Sequence, residues 1–189
     1  MPAEAVREAV AAGARILGEN RVQEAGEKIA LLPGLAEWHL VGHLQTNKAK
    51  QAIRLFDRIH SLDSARLAEE LNRRAREAGR RMRCLVEVNL GEETQKSGVS
   101  EKEIRPLLEA AARMPHLAID GLMTIPPFLS EAAAARPYFR RLRFLRDQLA
   151  AEGFAVAELS MGMTHDFEVA IEEGATLVRI GTAIFGPRA

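Results

Sequence analysis

The regular alternation of short apolar runs with amphipathic helical patterns most constrains how this chain can fold. Seven runs read as strands, at 15–20, 38–42, 58–62, 82–90, 117–124, 156–161 and 177–185. Helical stripes fill the gaps at 22–32, 46–56, 65–78, 100–114, 131–152 and 165–173, and one more, 2–13, precedes the first strand. A helix between successive strands makes them parallel with right-handed crossovers. Alternation of this length fits a doubly wound sheet or a (β/α)8 barrel. The doubly wound sheet would carry a GxGxxG turn after an early strand, and the sequence has none. A barrel places polar or small residues at the carboxyl ends of many strands. They stand here at Asn20, Gly42–His43, Ser61, Asn89, Met123–Thr124, Ser160–Met161–Gly162 and Gly181–Thr182. The reading is an α/β chain forming one domain over residues 1–189, a TIM-type (β/α)8 barrel with seven visible strands and an incomplete first βα unit.

Local signals set the boundaries. Pro33–Gly34 breaks the second helix, Thr46 and Ser64 read as N-caps, and Ser100 with Glu103 reads as a capping box. Pro137 inside the stretch 131–152 predicts a kink or restart.

Composition excludes several classes of function. The 26 basic and 26 acidic residues cancel, so neither nucleic acid nor an anionic membrane is favoured as a partner. Arg73–Arg74 and Arg80–Arg81 read as solvated helix faces. No apolar stretch approaches the roughly 18 residues of a membrane span, and the charged N-terminus does not read as a signal peptide. The one cysteine, Cys84, allows no internal disulfide and fits a reducing, cytoplasmic setting. It lies in an apolar run and reads as core. No HxxxH or CxxC spacing supports a metal, and neither a GxSxG elbow nor a P-loop is present.

The stretch 159–186 carries the chemistry. Ser160, Gly162, Thr164, Gly181 and Thr182 lie in the turns after the last two strands, a frequent phosphate position in such barrels. Ordinary βα turn chemistry selects the same residue types. Arg179, embedded in an apolar strand, either pairs with a buried carboxylate or meets a ligand. His39 reads as a satisfied core histidine. Asn20 and Asn89 either orient a ligand or cap the following helices.

Six motifs in order then carry a resemblance. They are Gly18-Glu19-Asn20 with Gln23-Glu24; Trp38-His39 with Gly42, Leu44-Gln45 and Asn47-Lys48; Val88-Asn89 with Lys96-Ser97-Gly98; Gly121-Leu122-Met123-Thr124; Ser160-Met161-Gly162-Met163; and Val178 through Gly186. From near residue 2 to Gly186 the chain resembles the pyridoxal phosphate homeostasis proteins, which resemble the N-terminal barrel domain of alanine racemase. The resemblance implies a single barrel holding pyridoxal 5′-phosphate (PLP). It places the phosphate on Ser160, Gly162, Gly181 and Thr182, and Arg179 at the pyridine nitrogen, with Asn20 and Asn89 lining the same mouth. It implies a non-catalytic cytoplasmic monomer that serves vitamin B6 and amino-acid homeostasis, with PLP-dependent apo-enzymes as candidate acceptors.

The alternative is a PLP-dependent amino-acid racemase. That chemistry calls for a second domain delivering a tyrosine, whereas Tyr138, the only tyrosine, lies in a helical pattern. In the family the lysine that links to PLP closes the first strand, ahead of a Pro-containing helix. This chain starts at that helix, and Lys28, Lys48, Lys50, Lys96 and Lys102 all lie in later elements. The expectation is a chain N-terminally truncated relative to the family, with no catalytic residue and no PLP lysine assigned.

Overall fold

The computed structural model describes residues 2–91 and 97–186. Among these residues seven strands form one parallel sheet in chain order: β1 (Ile16–Glu19), β2 (Glu37–Leu40), β3 (Arg58–Leu62), β4 (Met82–Glu87), β5 (Leu117–Met123), β6 (Glu158–Met163) and β7 (Leu177–Arg179). The helices α1 (Ala3–Ala11), α2 (Val22–Leu31), α3 (Ala49–Leu55), α4 (Ala65–Glu77), α5 (Glu101–Ala112), α6 (Arg136–Ala151) and α7 (Phe167–Glu172) alternate with them, and a single turn, α8 (Thr182–Phe185), comes after β7. The sheet curls into a nearly closed barrel whose two end strands are β1 and β7. No helix among the described residues is long and apolar enough to cross a membrane.

Strand alternation sorts the side chains into two environments. Trp38, Leu40, Ile59, Cys84, Val86, Leu159 and Met161 are buried in the apolar cluster that also takes in Ala25, Ile53, Leu71, Phe139 and Leu142 of the helices. Each large member contributes about 1.5–3 kcal/mol by leaving water. Burial there pushes the Cys84 thiol up, so it does not behave as a nucleophile. The alternate residues point inward and meet across the barrel. At the floor, Arg58 Nη2 of β3 lies 3.2 Å from Asp120 Oδ2 of β5, and Arg58 Nη1 lies 4.0 Å from Glu158 Oε1 of β6. Arg83 Nε of β4 donates to the same Asp120 oxygen at 2.7 Å. His39, His60 and Ser160 occupy the next layer, two residues further along β2, β3 and β6 from Glu37, Arg58 and Glu158. Glu87, Thr124 and Arg179 stand at the mouth. The interior is thus layered, as side-chain period and strand stagger require of a small barrel.

The expected caps are present at Ser64, whose hydroxyl accepts from Leu67 N at 3.3 Å, and at Ser100 with Glu103. Other boundaries differ. Thr46 does not cap with its side chain but starts a 3-10 turn, Thr46–Lys48, that leads into α3. Pro137 does not kink a helix: it sits in the first turn of α6, after the 3-10 turn Ala132–Ala135, where its missing N–H costs nothing. The run 177–185 is not one strand. β7 stops at Arg179, and Ile184 and Phe185 N–H bond back to the Gly181 carbonyl at 3.0 and 2.9 Å, satisfying these peptides locally. β6 runs two residues beyond the expected end, to Met163.

Candidate functional site

The barrel mouth is built from the carboxyl ends of the strands and the loops attached to them. Arg179 closes β7 and is half-buried. Its Nη1 donates to Ser160 Oγ at 2.7 Å and its Nη2 to the Thr124 carbonyl at 2.9 Å. Its Nε is buried and has no hydrogen-bond partner among the described residues. Burial pulls its pKa down to about 10, against the opposing pull of Asp166 and Glu87. It is therefore a cation at neutral pH, held in a fixed plane by two acceptors, with Nε–H among the donors left over.

The loops after β6 and β7 are tied together, since Gly181 N donates to Thr164 Oγ1 at 3.0 Å. Gly181 and Thr182 are exposed. A Cβ at Gly181 would have no atom within 4 Å, so packing within the protein does not demand glycine there. An open glycine backbone suits close approach by an anion. Gly162 is different. Its φ is +88°, in a register shift between β6 and β7, and a Cβ would stand 2.5 Å from Ala170 Cβ. Glycine there forms a bulge that lets α7 lie close over the end of β6.

Ser160 lies below the mouth. It is fully buried, and its hydroxyl is engaged by Arg179 and by His60 Nδ1 at 2.9 Å. Because β6 extends to Met163, Ser160 is a mid-strand interior residue rather than a turn residue. Its hydroxyl supports the cation. Asn20 is exposed after β1. Asn89 is half-buried, with its N–H on the Val99 carbonyl at 2.9 Å. Lys96, expected in the loop after β4, lies outside the described residues. His39 is a satisfied core histidine, as expected, with Nε2 2.9 Å from Glu37 Oε1 and Nδ1 2.9 Å from His60 Nε2.

One mouth residue escaped the sequence reading. Glu87 ends β4, is 8% exposed, and its Oε2 is buried without a hydrogen-bond partner among the described residues. Burial, and then Asp63, push its pKa from 4.5 up to about 7, and Arg179 opposes the rise. The available signal was the one used for Arg179: a charged residue inside an apolar strand. The raised value has a defined consequence for stability. Between pH 4.5 and 7 the folded state binds more protons at Glu87 than the unfolded chain does, so its contribution falls as pH rises through that window. Glu87→Gln is expected to remove this slope. The stability difference between variant and wild type should shift in the variant's favour by up to about 3 kcal/mol from pH 4.5 to 7 and stay level above. Thermal melts across that range check it.

Residues 2–189 match the family described as alanine racemase, N-terminal domain. The chain is 49% identical over 190 residues to the pyridoxal phosphate homeostasis protein of Aquifex aeolicus, covering 100% of this chain and 83% of that protein. The solved structure of PipY from Synechococcus elongatus with PLP bound superposes with a TM-score of 0.90 at 43% identity, covering 98% of this chain and 88% of that one. Alanine racemase from Corynebacterium glutamicum, at 16% identity and a TM-score of 0.75, covers 98% of this chain and 51% of its own, and shows the shared fold.

Proposed function

The chain belongs to the pyridoxal phosphate homeostasis proteins of the alanine racemase N-terminal domain family, and from that premise we propose that it binds PLP at the barrel mouth and handles the cofactor without turning over a substrate. The observation that carries this reading is Arg179: a fixed, charged guanidinium at the end of β7 with its Nε–H unpartnered among the described residues, shortly before an open glycine at position 181. The residues fit the two ends of PLP. The backbone at Gly162, Gly181 and Thr182, with the hydroxyls of Thr164 and Thr182, receives the phosphate. Arg179 Nε–H is a donor for the pyridine nitrogen, and Asn20 and Asn89 border the same opening. Bound PLP supplies an electron sink that is strong only when its ring nitrogen is protonated. A cation at that nitrogen disfavours a second positive charge there. Arg179 therefore suits holding PLP better than driving carbanion chemistry on it.

The family fold also serves enzymes, so the racemase alternative needs a direct answer. Tyr138, the only tyrosine in the sequence, is half-buried in the first turn of α6 and does not close a strand. Candidate recipients of the cofactor are PLP-dependent apo-enzymes, and the protein acts as a cytoplasmic monomer. Equilibrium dialysis with PLP tests the binding, with saturable uptake of about one equivalent expected. No saturable uptake by the protein would remove the proposal. Interconversion of D- and L-amino acids by PLP-loaded protein would overturn the non-catalytic part.

A further inference from the structure

A chain of buried polar contacts crosses the barrel from floor to mouth. It runs from Glu37 Oε1 to His39 Nε2 at 2.9 Å, from His39 Nδ1 to His60 Nε2 at 2.9 Å, from His60 Nδ1 to Ser160 Oγ at 2.9 Å, and from Ser160 Oγ to Arg179 Nη1 at 2.7 Å. Its members come from β2, β3, β6 and β7. His39 and His60 are each 2% exposed and Ser160 is fully buried, so water does not complete any of these bonds. Polar groups buried to this degree retain their partners because an unsatisfied one is costly.

The chemistry of the two ends fixes the direction of the chain. A carboxylate only accepts, so His39 Nε2 carries a hydrogen and donates to Glu37. A guanidinium only donates, so Ser160 Oγ accepts from Arg179. Three arrangements remain for the middle; a doubly protonated His60 that donates to both neighbours is opposed by the burial of its ring, and the other two keep His60 neutral. In one, His60 Nε2–H donates to a bare His39 Nδ1, and the Ser160 hydroxyl donates to a bare His60 Nδ1. Every hydrogen in the row then has an acceptor. In the other, a doubly protonated His39 donates to His60, and His60 donates to Ser160. The serine would then receive from both of these neighbours, and its own proton would have neither to go to. The first arrangement satisfies all groups with both imidazoles neutral. Burial above all, with the Arg179 cation nearby, holds His60 far below the usual histidine range, at about 3, which agrees.

We infer that Glu37, His39, His60 and Ser160 form a one-directional hydrogen-bond relay whose role is to position Arg179, fixing its guanidinium plane so that the unpartnered Nε–H is held in place for a ligand acceptor. These four are positioning residues. Ser160 can accept from Arg179 in this geometry because its own proton is taken by His60. His60 can take that proton because its Nε2–H is anchored on His39, and His39 is anchored on Glu37 at the opposite end of the barrel. The Thr124 carbonyl supplies the second fixed acceptor for Arg179. The consequence for binding rests on the proposed contact between Arg179 and PLP; the relay itself does not.

The test therefore has an arm without ligand. Long-range proton–nitrogen NMR spectra of uniformly labelled, ligand-free protein should show both His39 and His60 as neutral Nε2–H tautomers. Arg179 should give separate, slowly exchanging guanidinium signals. Those signals should collapse to the averaged pattern of a free arginine in Ser160→Ala and His60→Phe. They should persist in Ser160→Thr and in His60→Gln, whose amide can donate to His39 and accept from Ser160. An Nδ1–H tautomer or a charged ring at His60 overturns the inference, as does a Ser160→Ala protein that keeps the wild-type guanidinium signals. Ser160→Ala removes only a hydroxyl, so it decides the matter even where His60→Phe fails to fold. In the second arm, Ser160→Ala should weaken PLP binding about tenfold while Ser160→Thr restores it. Wild-type affinity in Ser160→Ala counts against the positioning role. A wild-type protein that shows the relay by NMR but takes up no PLP removes the proposed function and leaves the relay standing.

Discussion

Replacing Gly121 by alanine is expected to destabilise the protein by at least about 3 kcal/mol, enough to lower its melting temperature by roughly 6–12 °C for a chain of this size. Gly121 lies in β5, paired with Leu85 of β4 on one side and Glu158 of β6 on the other. A Cβ there would stand 2.0 Å from the Glu158 carbonyl oxygen, 2.6 Å from its carbon and 2.7 Å from its nitrogen. These are backbone atoms of an interior strand, so no side chain can rotate to make room. β5 and β6 would have to separate, and the pairing beyond this point would suffer: Leu122 with Leu159 and Met123 with Ser160, then the bond from Thr124 N to the Ser160 carbonyl at 3.1 Å. Ser160 and Thr124 are the two acceptors of Arg179. The substitution should therefore disorder the mouth as well as the sheet. Gly181→Ala is the matched control, because a Cβ there meets no atom within 4 Å and its melting temperature should stay near wild type. Thermal unfolding measured by circular dichroism compares the two, and a Gly121→Ala protein that melts with wild type would show that the strands have slack at this point.

Much of this architecture was legible in the sequence, because it rests on period and punctuation. Alternation of strand and helix patterns gave all seven strands, and the capping box at Ser100–Glu103 and the cap at Ser64 stood where the residue types put them. The differences have local causes. Ala183-Ile184-Phe185 is apolar like a strand, but its peptides bond back to Gly181 and Thr182, and nothing in its composition distinguishes the two outcomes. Ser160 lies inside the expected run 156–161 but reads with the turn because serine beside Gly162 is a turn-favoured type; in the structure β6 carries on to Met163 and Ser160 is a strand residue. The relay was hidden for a deeper reason. His39, His60, Ser160 and Arg179 are widely spaced in the chain and meet only through the curl and stagger of the barrel. Each strand discloses which of its residues point inward. None discloses which inward residue of a strand three places away stands opposite. Glu87 did carry a local signal, a charge inside an apolar strand, but its raised pKa comes first from burial in the assembled barrel and then from Asp63, just after β3, against Arg179, which closes β7.

Arg179→Leu should separate binding from folding more sharply than any other change at the mouth. On stability two effects oppose each other. Leucine leaves the Thr124 carbonyl and one lone pair of Ser160 without their donor, yet it also removes a desolvated cation whose pKa burial has already pulled down to about 10. Ser160 still donates to His60, so the remainder of the relay keeps its partners. The net cost should be within about 2 kcal/mol. For PLP there is no such offset. If Arg179 makes the proposed contact, leucine removes a charge-assisted hydrogen bond to the ligand of about 1.5–3 kcal/mol, and affinity should fall roughly 10- to 100-fold. Arg179→Lys should not rescue it, because the compact ammonium lacks the planar fork whose two Nη groups meet Ser160 and Thr124 while Nε–H is held between fixed bonds. The loss of the cation should also register at Glu87. Arg179 holds the Glu87 pKa down, so in Arg179→Leu that carboxyl should titrate above its wild-type value of about 7. Equilibrium dialysis gives the affinity, thermal melts the stability, and carbon-detected NMR of the Glu87 carboxyl its titration. Wild-type PLP affinity in Arg179→Leu would remove Arg179 from the ligand contacts, whereas a folded variant with weakened binding and a raised Glu87 pKa would place cation, carboxyl and cofactor in one electrostatic unit at the mouth.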